Sequence, residues 1–542
     1  YQVVYKQKKN LKSDVIHSLI IKACNLMPDI EEWNLRLQEK FNKIPSFKES
    51  IINIHNPLEE DYLSNSSTYI TRLAYDEIFA YQLSLAILRD NLKKLNSNKF
   101  SICPASIIDY FKSLLSFKPT ADQENAAIEI IDDIRTEKRT LRLLHGDVGS
   151  GKTIVAILAA YYVIKSGYQV AFLAPTELLA KQHHNLISKL FIKEDISSDI
   201  LLASSVNKKE IKKKLFDNQI KIIIGTHSLL QDDVKFNNLS FVVIDEQHRF
   251  GVEQRMKIRE KGKRVDTLLL TATPIPRTMM LTILGDISVS TIKQKPFDSK
   301  INTILKNEKN INEVVLFIKS KLLSKQKVFW VCPKIEDEKS DNKSNVEERY
   351  AYLKKYFKNV AVLHGKMKSN EKIEVLEDFR KGKINLLVST VVIEVGIDVP
   401  DANIIIIDNA DRFGLAQIHQ LRGRVGRGLH TGICILLYRD MLSDIAIERL
   451  SIMKKSQNGF EIAEKDLELR GSGELMGTKQ YGAEDFKFFD YHIHRNLAKL
   501  AIKEANEIIQ NDSKLKNKRG KTLKLLLKLF KKTAATNLLS AG

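Results

Sequence analysis

Short β-branched runs alternate with helical segments in two consecutive blocks, which predicts an α/β fold of two tandem parallel-sheet lobes with helical flanks. A second observation supports this. The glycine-rich turn Gly146-Asp-Val-Gly-Ser-Gly-Lys-Thr153 lies between the apolar run Leu141–Leu144 and an apolar helical stretch. Third, 542 residues suffice for three or four domains, each with a substantial core.

The first block, residues 99–296, has candidate strands at Leu141–Leu144, Val170–Leu173, Ile222–Ile224, Phe241–Ile244 and Thr267–Leu270. The second, residues 297–445, has them at Val328–Val331, Val360–Leu363, Leu386–Val388, Ile404–Ile407 and Ile433–Leu437. The segment Lys293–Ile304 reads as a linker. Residues 1–98 read as mainly helical: Leu73, Ile78, Phe79, Leu83, Leu85 and Ile87 recur at helical spacing, and Pro28, Pro45 and Pro57 mark breaks. Residues 446–542 read as helical and basic, with a stripe of Leu523, Leu526, Leu527 and Phe530 among lysines. Such a stripe suits a helix packed on a neighbour better than a membrane anchor.

Composition narrows the function classes. No apolar run approaches the roughly 18 residues of a membrane span. Cys24, Cys103, Cys332 and Cys434 are scattered without metal-ligand spacing, and a reducing cytoplasm fits them. Lysine and arginine outnumber aspartate and glutamate by 86 to 66, giving a formal net charge of +20. The excess favours a polyanionic partner and salt-sensitive binding.

The glycine-rich turn is a complete phosphate-binding loop in the strand, loop and helix context it requires. Gly146, Asp147, Val148, Gly149, Ser150, Gly151, Lys152 and Thr153 would surround the phosphates of a nucleoside triphosphate. Backbone N–H groups and a helix N-terminus supply the positive field. Lys152 would reach the β- and γ-phosphates, and the Thr153 hydroxyl would ligate Mg2+. The apolar run Phe241–Ile244 ends in Asp245-Glu246. There Asp245 can hold Mg2+ and Glu246 can polarise an attacking water. Thr271-Ala-Thr273 closes another strand; it either couples the γ-phosphate to movement of the second lobe or merely caps the strand. In the second block, Gln420-Leu-Arg-Gly-Arg-Val-Gly-Arg427 places Arg424 and Arg427 as candidate arginine fingers.

This ordered set of motifs resembles a superfamily 2 helicase or translocase, which implies two RecA-like lobes with ATP bound between them. Longer runs resemble the bacterial RecG family of branched-DNA translocases. They are Asp245-Glu-Gln-His-Arg-Phe-Gly251, Thr271-Ala-Thr-Pro-Ile-Pro-Arg-Thr278, Ile393-Glu-Val-Gly-Ile-Asp-Val-Pro400 and the stretch Phe413 to Gly428. The transcription-repair coupling factor shares most of these motifs. Gln247, Ser150 and Trp330-Val-Cys332 lean toward RecG.

The resemblance implies roles for further residues. Gln123 matches an adenine-contacting glutamine. Thr176, Thr226, His227, Thr273 and Thr390 fall in motifs that touch the DNA backbone; ordinary strand-end loops are the alternative. The run Gly459 to Gln480 resembles a translocation motif built as a helical hairpin and loop, and Arg449, Arg470 and Gln480 match its coupling residues. The implied partners are branched or double-stranded DNA and a single-stranded DNA-binding protein, with no membrane, and the implied state is a monomer in the cytoplasm.

Two departures stand out: Val391 where the family has a second threonine after Thr390, and Tyr481 in place of a small hydroxyl residue. The start of the chain resembles the segment just after the family's wedge domain, an OB fold that splits strands at a junction. The expectation is that ATP hydrolysis survives without that domain while fork remodelling does not. A coupling-factor translocase and a non-productive DNA-binding remnant are the competing readings; intact Lys152, Asp245, Glu246, Arg424 and Arg427 oppose the second.

Overall fold

The computed structural model describes the chain outside residues 1–2, 6–11, 41–43, 65, 94–99, 101, 137–138, 247–251, 272–287, 297–299, 334–344, 366, 391–398, 400, 427–430, 440–441, 476–485 and 533–542. Its contacts divide into two units. One is formed mainly by Tyr1–Asn96 with Arg470–Gly542, the other by Ser97–Pro276 with Ser288–Leu469.

The second unit holds both predicted sheets. The first sheet contains β1 (Leu141–Gly146), β2 (Gln169–Leu173), β3 (Ser198–Leu201), β4 (Ile222–Gly225), β5 (Leu239–Ile244), β6 (Asp266–Thr271) and β7 (Ser288–Ile292), in the order β3-β4-β2-β5-β6-β1-β7. The second contains β8 (Ile301–Asn307), β9 (Lys327–Val331), β10 (Val360–Leu363), β11 (Leu386–Ser389), β12 (Ala402–Ile407) and β13 (Gly432–Tyr438), in the order β10-β11-β9-β12-β13-β8. Every pairing is parallel. Parallel sheets are covered by helices on both faces, so their strands bury both sets of side chains. The second sheet illustrates it: Phe329, Val331, Ile405 and Ile407 pack on one side, and Val328, Trp330, Ile404 and Ile406 on the other.

Every strand expected from an apolar run is present. The linker reading of Lys293–Ile304 is corrected. Its last residues open β8, which pairs along its whole length with β13, from Ile301 beside Gly432 to Asn307 beside Tyr438. Burial in β8 is full only at Ile301 and Thr303, because an edge strand needs no apolar run.

Helix starts follow local chemistry. Thr120 and Gln123 form a capping box ahead of helix Ala121–Arg135, and Thr176 caps helix Glu177–Phe191. Helix Lys152–Lys165 is buried continuously from Val155 to Ile164, as expected of a helix apolar on all sides.

In the other unit, Pro28, Pro45 and Pro57 lie between the helices Ser13–Asn25, Leu35–Lys40, Phe47–His55 and Thr68–Lys93. The last packs against helices Tyr491–Asn511 and Lys518–Leu529. Leu523, Leu526 and Leu527 are buried there, so the apolar stripe does face a neighbour. No helix among the described residues is long and apolar enough to cross a membrane. The core of this unit is also polar. Arg72 and the indole of Trp33 both donate to Asp76, at 2.8 and 2.7 Å. The Tyr75 hydroxyl and Arg519 donate to Glu504. All four cysteines are free, with Cys332 and Cys434 buried as expected.

Candidate active site

In the first sheet the motif residues gather at the carboxyl ends of neighbouring strands, the rim where open α/β sheets bind ligands. The phosphate loop leaves β1, Asp245 follows β5, and Thr271 ends β6. β6 lies between β5 and β1, which aligns the three motifs.

The loop has the geometry of an anion cradle. Gly149 and Gly151 take φ values of +79° and +83°, a region that suits glycine. A Cβ on Gly151 would stand 2.2 Å from the Gln123 amide nitrogen. That amide donates to the Ser150 carbonyl at 2.8 Å, and its oxygen accepts from Thr120 N–H at 2.9 Å. Gln123 thus joins its own helix start to the loop. The Ser150 hydroxyl is buried with no hydrogen-bond partner among the described residues. An orphaned donor in a glycine-rich loop at the start of a helix fits a phosphate oxygen.

Lys152 is buried, and its Nζ donates to the carbonyls of Gly146 and Asp147 at 2.7 and 2.8 Å. Burial lowers its pKa; the charges of Glu246, Asp147 and Asp245 oppose that shift, and Arg424 reinforces it. Asp245 Oδ1 accepts from Glu246 N–H at 2.9 Å, and its Oδ2 lies 2.9 Å from His183 Nε2. Glu246 adopts φ +48°, an uncommon conformation for a non-glycine residue and one that recurs at functional sites.

The second lobe meets the loop through helix Leu415–Arg422 and the turn after it. His419 Nε2 lies 2.6 Å from Asp147 Oδ1, and Lys295 Nζ lies 2.7 Å from Asp147 Oδ2. Burial alone would raise the pKa of Asp147, but His419 and then Lys295 outweigh it and hold the carboxyl well below the ordinary range. Burial lowers the pKa of His419, against the pull of Asp147. Gly423 approaches so closely that a Cβ there would stand 2.7 Å from Val148 Cβ.

Thr176 and Thr226 follow β2 and β4, adjacent strands in which Leu173 pairs with Gly225. Thr226 is buried and His227 exposed. Thr390 follows β11 and donates its N–H to Leu363 at 3.2 Å. Arg449 is tied to the Phe413 carbonyl at 2.6 Å. Thr273, Arg427, Gln480, Val391 and Tyr481 lie outside the described residues, as does the side chain of Arg470.

His419, Lys295 and His183 are site residues that motif reading passes over. His419 stands one residue before the run chosen for its arginines, and Lys295 inside the segment read as a linker. The approach of the two lobes reveals the partner of His419, while the pairing of β7 with β1 brings Lys295 to Asp147 within the first lobe.

Three family models match in series: the DEAD/DEAH box helicase over residues 120–281, the helicase conserved C-terminal domain over 306–428, and domain 3, C-terminal, of the ATP-dependent DNA helicase RecG over 456–538. The fold and site therefore define a two-lobed ATP-dependent helicase. Relatives narrow the class. The chain is 39% identical to the ATP-dependent DNA helicase RecG of Bacillus subtilis, over 94% of this chain and 75% of that protein. It is 41% identical to the RecG of Thermotoga maritima, over 93% of this chain and 64% of that protein. A solved structure of RecG bound to a three-way DNA junction matches at 37% identity and a TM-score of 0.71, covering 92% of this chain and 65% of that one. The DUF1998 helicase MrfA bound to DNA, 19% identical with a TM-score of 0.52 over 66% of this chain and 55% of that one, shares the fold. The chain belongs to the RecG family of ATP-dependent DNA helicases, and spans about two thirds to three quarters of the length of these relatives.

Proposed function

We propose that this chain is an ATP-driven motor that translocates on duplex DNA and, in the complete protein, remodels branched DNA such as stalled replication forks and Holliday junctions. The observation that carries this reading is the meeting of the Gly146–Thr153 loop with the arginine-bearing turn of the second lobe, sealed by His419 on Asp147. A site assembled from two lobes can convert a change at the nucleotide into movement of one lobe against the other.

ATP supplies the free energy through cleavage of its γ-phosphate; Thr153 and Asp245 would hold a Mg2+ ion, which would offset phosphate charge. The backbone of residues 146–151 binds and orients the phosphates, and Lys152 leaves its carbonyl partners to neutralise them. Glu246 takes the proton of the attacking water. Arg424 and Arg427 offset the charge that develops on the transferred phosphoryl group, a role worth about 10³–10⁵ in rate in related chemistry. Gln123 joins the adenine to the loop. Thr176, Thr226, His227, Thr273 and Thr390 hold the DNA backbone without reading its sequence. Arg449, Arg470 and Gln480 pass lobe movement to the duplex.

The test is ATP turnover with no DNA, linear duplex and a four-way junction, with Lys152→Ala as control. Stimulation that is greater on the junction is expected. Equal stimulation by both DNAs would restrict the reading to a duplex translocase, and turnover no higher than the Lys152→Ala background would sink it.

A further inference from the structure

We propose that His419 is a positioning residue that passes the state of the phosphate loop to the second lobe, along a hydrogen-bonded chain from Asp147 to the helix that bears Arg449. The proposal rests on reading residues 146–153 as the nucleotide site.

The chain of bonds is continuous and directional. Arg422 Nη2 lies 3.0 Å from His419 Nδ1. A guanidinium can only donate, so Nδ1 must accept. The imidazole then carries its proton on Nε2 and donates it to Asp147 Oδ1 at 2.6 Å. The neighbours thus fix one neutral tautomer, the form that burial of the ring also favours. From Arg422 the chain continues through Nη1 to the carbonyls of Met453 and Ser456, both at 2.8 Å. These carbonyls belong to the last turn and the C-cap of helix Asp444–Lys455, about one and two turns beyond Arg449. His419, Arg422 and Asp147 are at most 5% exposed. Breaking the chain would leave polar groups in a dry interior without partners, which favours discrete arrangements over gradual slippage.

Asp147 is also where the loop would register an arriving phosphate. Lys152 holds the main-chain carbonyls of Gly146 and Asp147, while His419 holds the Asp147 side chain. A phosphate that draws Lys152 away frees both carbonyls and lets the Asp147 peptide turn. Its carboxylate stays tied to Val148 N–H at 2.7 Å and to Lys295, so the shift is delivered to His419. The contact of Gly423 with Val148 keeps the second-lobe turn in register while this happens.

A static bond and a transmitting one predict different kinetics. The full chain is compared as wild type, His419→Ala, His419→Gln, Asp147→Asn and the Ala/Asn double variant. The readouts are kcat and KM for ATP on linear duplex, and affinity for a fluorescent ADP analogue without turnover. His419→Ala is expected to lower kcat about tenfold while KM and analogue affinity stay within about twofold. Adding Asp147→Asn should cost no more than about a further twofold, since both changes cut one chain. His419→Gln, whose amide can donate to Asp147, should recover at least half of the lost kcat. Losses that multiply to about 100-fold, weaker analogue affinity at unchanged kcat, or a Gln variant as poor as Ala would each overturn the proposal. Wild-type turnover no higher than that of Lys152→Ala would instead overturn the nucleotide reading beneath it.

Discussion

At the scale of single residues, buried charge is tolerated here only where partners meet it, and Asp266 shows the limit. It opens β6, at the end opposite the phosphate loop, and is fully buried. Oδ1 accepts from Thr140 N–H at 2.7 Å, but Oδ2 has no hydrogen-bond partner among the described residues. Burial pushes its pKa up to about 6, against the opposing charge of Arg264. The native state then holds a proton that the unfolded chain, with a carboxyl near about 3.9, gives up sooner. The Asp266 contribution to stability is full below the unfolded pKa and is lost as pH rises through about 6. Denaturant unfolding of wild type and Asp266→Asn between pH 4 and 7 checks this: the variant should lose the part of the pH slope that falls in that window. An unchanged slope would show that Asp266 is ionised throughout. No sequence pattern marks such a residue, because its burial depends on Arg264 and Thr140 meeting across two strands. Lys152 was legible for the opposite reason: its chemistry requires glycines at fixed neighbouring positions.

At the scale of elements, legibility followed the unbroken apolar run, which even the edge strand β10 carries. Strands buried on both faces, such as β5 and β12, are continuous apolar runs and could be read directly. β3, β7 and β8 could not. Each is an edge strand, and their sequences Ser-Asp-Ile-Leu, Ser-Val-Ser-Thr-Ile and Ile-Asn-Thr-Ile-Leu-Lys-Asn mix polar with apolar residues. The arginine-bearing turn was legible as chemistry but not as packing. Its arginines pointed to phosphate chemistry, whereas the contact of Gly423 with Val148 of the loop carried no sequence signal. Gly423→Ala tests what that approach does. The new Cβ must displace the turn or the loop by several tenths of an ångström, which moves Arg424 relative to Lys152. Misplacement on this scale can cost about 10²-fold in rate. DNA-stimulated kcat should fall steeply with little change in thermal unfolding, and Val148→Gly in the same chain should restore much of it. Wild-type kcat in Gly423→Ala would mean that the turn adjusts freely and its register is unimportant.

At the scale of the whole molecule, residues far apart in sequence build one helical unit. The N-terminal and C-terminal helical segments were read separately, since neither carries a chemical motif that points to the other. Their union is written in buried and half-buried pairs: Tyr75 with Glu504, Arg519 with the Trp33 carbonyl, and Glu77 with the backbone of residues 487–489. Glu77 is the most telling. Its carboxylate is 6% exposed and accepts N–H groups from Lys487, Phe488 and Phe489 at 2.8, 2.8 and 3.0 Å. Three successive amides around one carboxylate form an anion nest turned inward, and its loss leaves three donors without their acceptor. These amides come seven residues after the end of the segment that resembles the translocation motif, so a loosened nest should separate hydrolysis from movement. Glu77→Ala is expected to speed hydrogen exchange at 487–489 by at least about tenfold. It should also lower displacement of a third strand from a triplex-bearing duplex, a measure of translocation, per ATP consumed, with turnover in the absence of DNA unchanged. The displacement assay is decisive. If exchange accelerates while displacement per ATP holds at the wild-type value, the nest stabilises the unit without coupling it to the motor. If both change together, an anchor 410 residues distant in sequence belongs to the stroke.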